Sequence, residues 1–126
     1  MTLRSLSDLV NDDVALVRRG RYLSTSFIVG IGEDDWLVTV ENGKIADVTT
    51  PPPLMASSAF AIRASKSVWD AFWKPFPAPG YHDIFAMLPK GIATIDGTLL
   101  PLMQNLQYFK DIIAVMRDDK GDENGG

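Results

Sequence analysis

One histidine is the side chain of this sequence best suited to acid–base chemistry near neutral pH. His82 is followed directly by Asp83, and Asp96 lies farther along the chain. An imidazole that a carboxylate orients can act as a general base. No nucleophile stands at a recognisable spacing, because Ser65 and Ser67 fit helix-capping and helix-surface positions. We therefore predict no catalytic residue. We interpret the histidine as a residue that caps a helix or forms a hydrogen bond to the loop. A small α+β enzyme that uses His82 is the alternative.

The sequence offers few ligands for a metal or a cofactor, since it contains one histidine and no cysteine. Zinc sites are built from cysteine and histidine, so none is predicted. The acidic run at 33–35 lacks the spaced ligands of a calcium loop and is typical of a solvated turn. Gly30 and Gly32 lead into a polar turn and not into a helix N-terminus, so no phosphate loop is indicated. We predict neither a metal nor a cofactor.

Composition and charge limit the classes of protein to which this chain can belong. The 126 residues are 46% hydrophobic and 22% charged, which is typical of one globular domain, here over 1–116. The formal net charge is −4, and residues 117–126 form an acidic tail that we predict to be disordered. The basic group Arg18, Arg19 and Arg21 is too short to bind nucleic acid, and it fits the C-terminus of a helix.

Nothing in the sequence predicts insertion into a membrane. No window approaches the ~18 uninterrupted apolar residues of a membrane span. The first ten residues lack the basic region and apolar run of a signal peptide, so we expect a cytoplasmic protein.

The first half of the chain predicts a helical segment followed by a three-stranded meander. Apolar residues recur at helical spacing up to Gly20, but the polar residues 11–13 interrupt them. The segment is either two short helices, with Asp13 capping the second, or one helix with a weak centre. Strands follow at 21–31 and 36–41, and the Asn42-Gly43 pair predicts a tight hairpin into a third. The hairpin fixes three cross-strand pairs: Glu41 with Lys44, Val40 with Ile45, and Val38 with Asp47.

The second half predicts two further strands and at least three helices. The residues at 60–64 alternate between inward-facing and outward-facing positions, which predicts a fourth strand. Ser65 then fits the N-cap of a helix that carries two tryptophans. A proline-rich link at 74–80 ends that helix, a short helix follows at about 81–88, and 92–95 form a fifth strand. Gly97 then precedes one long amphipathic last helix, in which Pro101 occupies the first turn.

Large apolar side chains are concentrated at 69–109, where two of the three tryptophans and four of the six phenylalanines lie. Such stripes belong to a core more often than to a pocket. Methionines offer adaptable lining, however, and ligand sites are mostly apolar with few polar anchors. We therefore predict a cavity for a hydrophobic ligand. Four residues are candidate polar anchors: Arg63, His82, Gln104 and Tyr108.

The order of elements resembles the sterol carrier protein 2 (SCP2-like) family. The resemblance is carried by the strand FAIRA leading into the helix SKSVWDAFW, then by the strand IATI, Gly97 and the helix TLLPLMQNLQYFKDII. It extends from about 27 to 116. It implies an α+β fold, in which helices cover a twisted, mainly antiparallel five-stranded sheet. It also implies an apolar tunnel between sheet and helices that accepts fatty acyl chains, sterols or similar molecules.

We accordingly expect a non-enzymatic protein that binds or transfers a lipid or another hydrophobic small molecule. An interaction, dimerisation or substrate-presenting module for a partner enzyme is the alternative, with the last helix as the docking face. We predict that twelve residues contact the ligand: Phe60, Ile62, Trp69, Phe72, Trp73, Phe76, Phe85, Met87, Leu88, Leu99, Met103 and Leu106.

Overall fold

A five-stranded mixed sheet forms the centre of the computed structural model, which describes residues 5–74, 77, 79–81 and 83–125. From 116 to 125 only the backbone is described. The strands are β1 (Ser24–Ile31), β2 (Asp34–Glu41), β3 (Lys44–Thr49), β4 (Phe60–Ala64) and β5 (Ala93–Gly97). They stand in the order β3-β2-β1-β4-β5, and each neighbouring pair is antiparallel except β1 and β4. The predicted α+β class and mainly antiparallel sheet are confirmed.

The described helices lie before the meander and after β4. They are α1 (Leu6–Asn11), α2 (Val14–Arg19), α3 (Lys66–Phe72), α4 (Ile84–Met87), α5 (Leu100–Gln104) and α6 (Leu106–Gly125). The N-terminal segment is two helices, because the Asp13 carboxylate accepts a hydrogen bond from the Leu16 amide at 3.1 Å and starts α2. Ser65 caps α3 as predicted, through a 3.2 Å bond from the Val68 amide.

The hairpin between β2 and β3 follows the prediction near its turn and departs from it farther along. Asn42 and Gly43 both have positive φ, and Val40 faces Ile45 as expected. A bulge between Thr39 and Val40 then shifts the register, so Val38 faces Val48, and its predicted pairing with Asp47 is wrong. The shift has a physical reason: it directs Val48 to the core face and leaves the Asp47 carboxylate exposed.

The predicted single last helix is wrong as well, since Asn105 separates α5 from α6 with φ −127° and ψ 36°. The Asn105 side-chain amide donates to the Pro101 carbonyl oxygen at 3.0 Å, and this bond stabilises the break. Pro101 lies in the first turn of α5, as predicted. The backbone of α6 is helical to Gly125. The single domain over 1–116 and the disordered tail over 117–126 stay predictions.

Helices cover one face of the sheet. α1 packs on β3 and on α6, and α2 also packs on α6. The sheet contributes alternate residues to this layer, among them Phe27 and Val29 on β1, Trp36 and Val38 on β2, and Ile62 on β4. Within the described residues, no helix combines the length and the apolar content that crossing a membrane requires.

Candidate ligand-binding site

Three phenylalanines form the centre of the layer between sheet and helices. Phe27 on β1 and Phe60 on β4 are register partners, and their rings stack with centroids 5.2 Å apart. Phe109 of α6 meets both rings edge-on, at 5.5 Å and 5.2 Å. Each of the three side chains is at most 1% exposed. Because edge-to-face and stacked rings attract one another beyond their area burial, this cluster fixes α6 over the centre of the sheet.

Two tryptophans connect α3 to the elements on either side of it. The Trp69 and Trp73 rings stack at 4.8 Å, and both are buried. The Trp69 indole N–H donates to the Gly30 carbonyl oxygen on β1 at 2.8 Å. The Trp73 indole N–H donates to the Ile113 carbonyl oxygen on α6, also at 2.8 Å. The polar ends of both indoles are therefore satisfied inside an otherwise apolar layer.

The structure brings most, but not all, of the twelve predicted contact residues into this layer. Six are buried: Phe60, Ile62, Trp69, Phe72, Trp73 and Met87. Three are half-buried: Phe85, Leu88 and Leu106. Leu99 and Met103 are 42% and 58% exposed, because the break at Asn105 turns part of α5 toward solvent. Phe76 lies outside the described residues.

Between α1, α3, α6 and β1, the side chains that the structure describes leave little space. This space, which we call the inner void, has a volume of ≈ 10 Å³. This is about the room that one water molecule needs. Its lining is apolar throughout: Leu6, Phe27, Val29, Trp73, Ile112 and Ile113. Of these, only Trp73 was among the predicted contact residues. The others had the signals of core positions, namely strand alternation and helical spacing, which do not show where a gap remains.

A larger cleft of ≈ 240 Å³ opens between α3, the start of α4 and α6. Phe72, Ile84 and Ile113, each at most 5% exposed, supply its apolar walls. At the polar side, the Lys110 ammonium lies 2.8 Å from Oδ2 of Asp83. Sequence reasoning did not find Lys110, because a charged residue on the polar side of an amphipathic helix resembles an ordinary solvated position.

Two of the four predicted polar anchors, Arg63 and Gln104, do not point into the layer. Arg63 faces the opposite side of the sheet from Phe60 and Ile62, and its guanidinium lies 3.4 Å from Asp35 and 3.9 Å from Asp96. Gln104 is exposed. His82 is outside the described residues, so the alternative that depends on it stays a prediction.

Tyr108 is the one candidate anchor that is buried. Its hydroxyl donates to the Gly43 carbonyl oxygen at 2.7 Å, and burial raises the pKa of the phenol to about 12. The hydroxyl is thus committed to the turn between β2 and β3. Among the described residues, no three His, Asp or Glu side chains gather closely enough to hold a metal ion.

Solved structures share this arrangement of sheet and helices. A crystal structure of sterol carrier protein 2 matches with a TM-score of 0.70 at 14% identity, over 91% of this chain and 92% of that chain. The chain has the SCP2-like fold. The sterol carrier protein domain 2 of Helicoverpa armigera matches this SCP2-like chain with a TM-score of 0.62 at 13% identity, over 89% and 84% of the two chains.

A third match is the UbiJ-SCP2 ubiquinone synthesis protein. Its TM-score is 0.61 at 15% identity, over 91% of this SCP2-like chain and 87% of that chain. Neither a protein-family model nor a curated protein sequence matches the chain. With identities of this size, the shared fold is established by the TM-scores.

Proposed function

We propose that this chain binds a lipid or another hydrophobic small molecule between its sheet and its helices and carries it without chemical change. The SCP2-like fold supports the proposal, since two of its matches are named as sterol carriers. The apolar lining of the inner void supports it as well. Affinity would come from burying apolar ligand surface, at roughly 25 cal/mol per Å².

Binding in the void beside Trp73 and Ile113 requires side chains to move, because its ≈ 10 Å³ admits no lipid. Ligand pockets usually enclose about 300–1,000 Å³. The contact between α3 and α6 is the place where room can be made, since Trp73 and Ile113 line the void from those two helices. The ligand would replace the contacts that these side chains make with each other.

The decisive experiment is native mass spectrometry of the purified protein, followed by organic extraction of whatever it carries. We expect adduct masses that disappear on extraction, and saturable uptake of a fluorescent fatty acid by the extracted protein. Neither an adduct nor uptake at micromolar ligand would contradict the proposal.

An interaction module is the second candidate, and the exposed apolar side of α5 favours it. Leu99, which precedes α5, and Leu100 and Met103 within it are 42%, 62% and 58% exposed. Scattered exposed apolar residues are ordinary, but a contiguous set on one short helix is typical of a protein contact. The match to UbiJ-SCP2, a ubiquinone synthesis protein, is consistent with a domain that serves a partner.

A charge on α5 tests this second candidate. If α5 pairs two copies of the chain, Leu100→Glu would convert a concentration-dependent dimer to a monomer in light scattering, with unchanged uptake of fatty acid. Ile112, which also belongs to the apolar stripe of the last helix, is unsuitable for the same test, because it is fully buried and a charge there would disrupt the core. Lys66→Glu, on an exposed position of α3, is the control.

A further inference from the structure

We propose that Lys110 binds the anionic head group of a single-chain amphiphile, such as a fatty acid, and that Asp83 occupies this position when no ligand is bound. The inference rests on the proposed function. It adds the place of entry, which is the cleft between α3, α4 and α6, and a residue that selects ligands by charge.

An ion pair spans the cleft. Lys110 extends from α6, and Asp83 precedes α4 on the other side, with 2.8 Å between Nζ and Oδ2. Their side chains are 33% and 26% exposed, so the pair is partly shielded from water. A carboxylate already lies where the carboxylate of a fatty acid would lie, so the geometry of a charge-assisted bond to Lys110 is present.

The cleft has a further charge on Asp111. This carboxylate is engaged by Arg19 of α2 and by the Gln107 side-chain amide, the latter at 2.9 Å. Among the cleft-lining residues that the structure describes, Lys110 is the one cation. If a ligand carboxylate displaces Oδ2 of Asp83 from Lys110, Asp83 can keep its Oδ1 bond to the Phe85 amide, and Lys110 exchanges one anion for another.

One residue connects the cleft to the inner void. Ile113 lines both spaces, and the Trp73 indole is bonded to its carbonyl oxygen. The cleft volume of ≈ 240 Å³ is below the usual range for a whole ligand. It therefore suits the head group and the first methylenes. The rest of the chain would pass Ile113 and enlarge the void beside Phe27 and Val29.

The test compares amphiphiles that share a chain and differ in their head group. Dodecanoate, dodecanol and dodecyltrimethylammonium are titrated into the protein at pH 8, below the concentrations at which they form micelles, with displacement of a fluorescent probe as the readout. We expect the wild type to bind dodecanoate more tightly than the other two. Lys110→Met keeps the aliphatic stem, and it should weaken dodecanoate about fivefold while leaving dodecanol unchanged. Lys66→Met, on α3 but outside the cleft, should change neither.

Asp83→Asn provides a test in the opposite direction. The asparagine oxygen can still accept the Phe85 amide hydrogen bond that caps α4, now 2.9 Å long. Because the variant lacks the Asp83 carboxylate that competes for Lys110, dodecanoate should bind about threefold more tightly. The affinity for dodecanol should stay unchanged. Thermal unfolding of each variant checks that it folds.

The outcomes separate this inference from the proposed function. If the wild type binds none of the three amphiphiles, the proposed function fails. If it binds them equally, or if Lys110→Met weakens dodecanoate and dodecanol alike, the chain is a carrier but Lys110 does not select the head group. An unchanged dodecanoate affinity in Asp83→Asn would also overturn the inference.

Discussion

The Tyr108 side chain joins three elements through one ring and one hydroxyl. It is 2% exposed, and its hydroxyl donates to Gly43 in the turn between β2 and β3. The ring occupies the space beside Gly20, at the end of α2, where an added Cβ would overlap it. Glycine at position 20 is therefore required by the close approach of a tyrosine and not by backbone conformation.

We predict that Tyr108→Phe lowers the free energy of unfolding by about 1–3 kcal/mol at pH 7, because a buried carbonyl oxygen loses its donor. The difference between wild type and variant should shrink at high pH. Burial raises the pKa of Tyr108 to about 12, so the folded protein keeps this proton while the unfolded chain releases it above about 10.

The stability that the neutral phenol contributes is thus fully present below about pH 10 and is lost as the pH rises toward about 12. Urea unfolding of both proteins at pH 7 and pH 11 measures this pH dependence. Between the two pH values, the free energy of unfolding of the wild type should fall by about 1 kcal/mol more than that of the variant. An equal loss in both would show that Tyr108 is not the group that titrates.

At the scale of elements, α6 is the helix on which binding depends, since it contributes Phe109 to the centre of the layer and Ile113 to both spaces. We predict that Ile113→Ala joins the void to the cleft and increases uptake of fluorescent fatty acid. It should also lower the free energy of unfolding by about 2–4 kcal/mol, because buried methylenes are lost and a cavity is left.

Val115→Ala is the matched control for that variant. Val115 is buried on the same helix but lines neither space, so its loss should destabilise the protein without raising uptake. Both variants are measured by urea unfolding and by probe titration. Equal uptake by the two variants would show that the loosening of α6, and not the opened path, controls binding.

The elements show where reasoning from sequence succeeds and where it stops. Apolar period and caps are local signals: they predicted the strands and the helix that Ser65 caps, and they gave the helix that Asp13 caps as one of two alternatives. The bulge beside Thr39 was missed because the hairpin pairing was extended as a regular ladder, whereas Ala46 is an extra residue that leaves Ile45 and Val48 three positions apart on the core side. The break at Asn105 was missed because apolar spacing continues through it.

At the scale of the whole molecule, the order of strands and helices was enough to predict the SCP2-like fold. The parallel pairing of β1 with β4 was not predicted, since nothing local to either strand shows which neighbour it will have. The volume of the space between sheet and helices could not be predicted from the sequence either. Residue types show that Phe27, Trp73 and Ile112 are apolar, but only packing shows that they line one space of ≈ 10 Å³.

The side chain of Asn11 has a consequence for how the molecule behaves among its own copies. Its amide nitrogen donates to the Ile45 carbonyl oxygen at 3.1 Å, and its oxygen accepts the Ile45 amide hydrogen at 2.8 Å. A strand of another molecule would use these same two groups to extend the sheet. β3 is an edge strand, and the bulge beside Thr39 distorts it further. Asn11 thus protects this border of the sheet against aggregation.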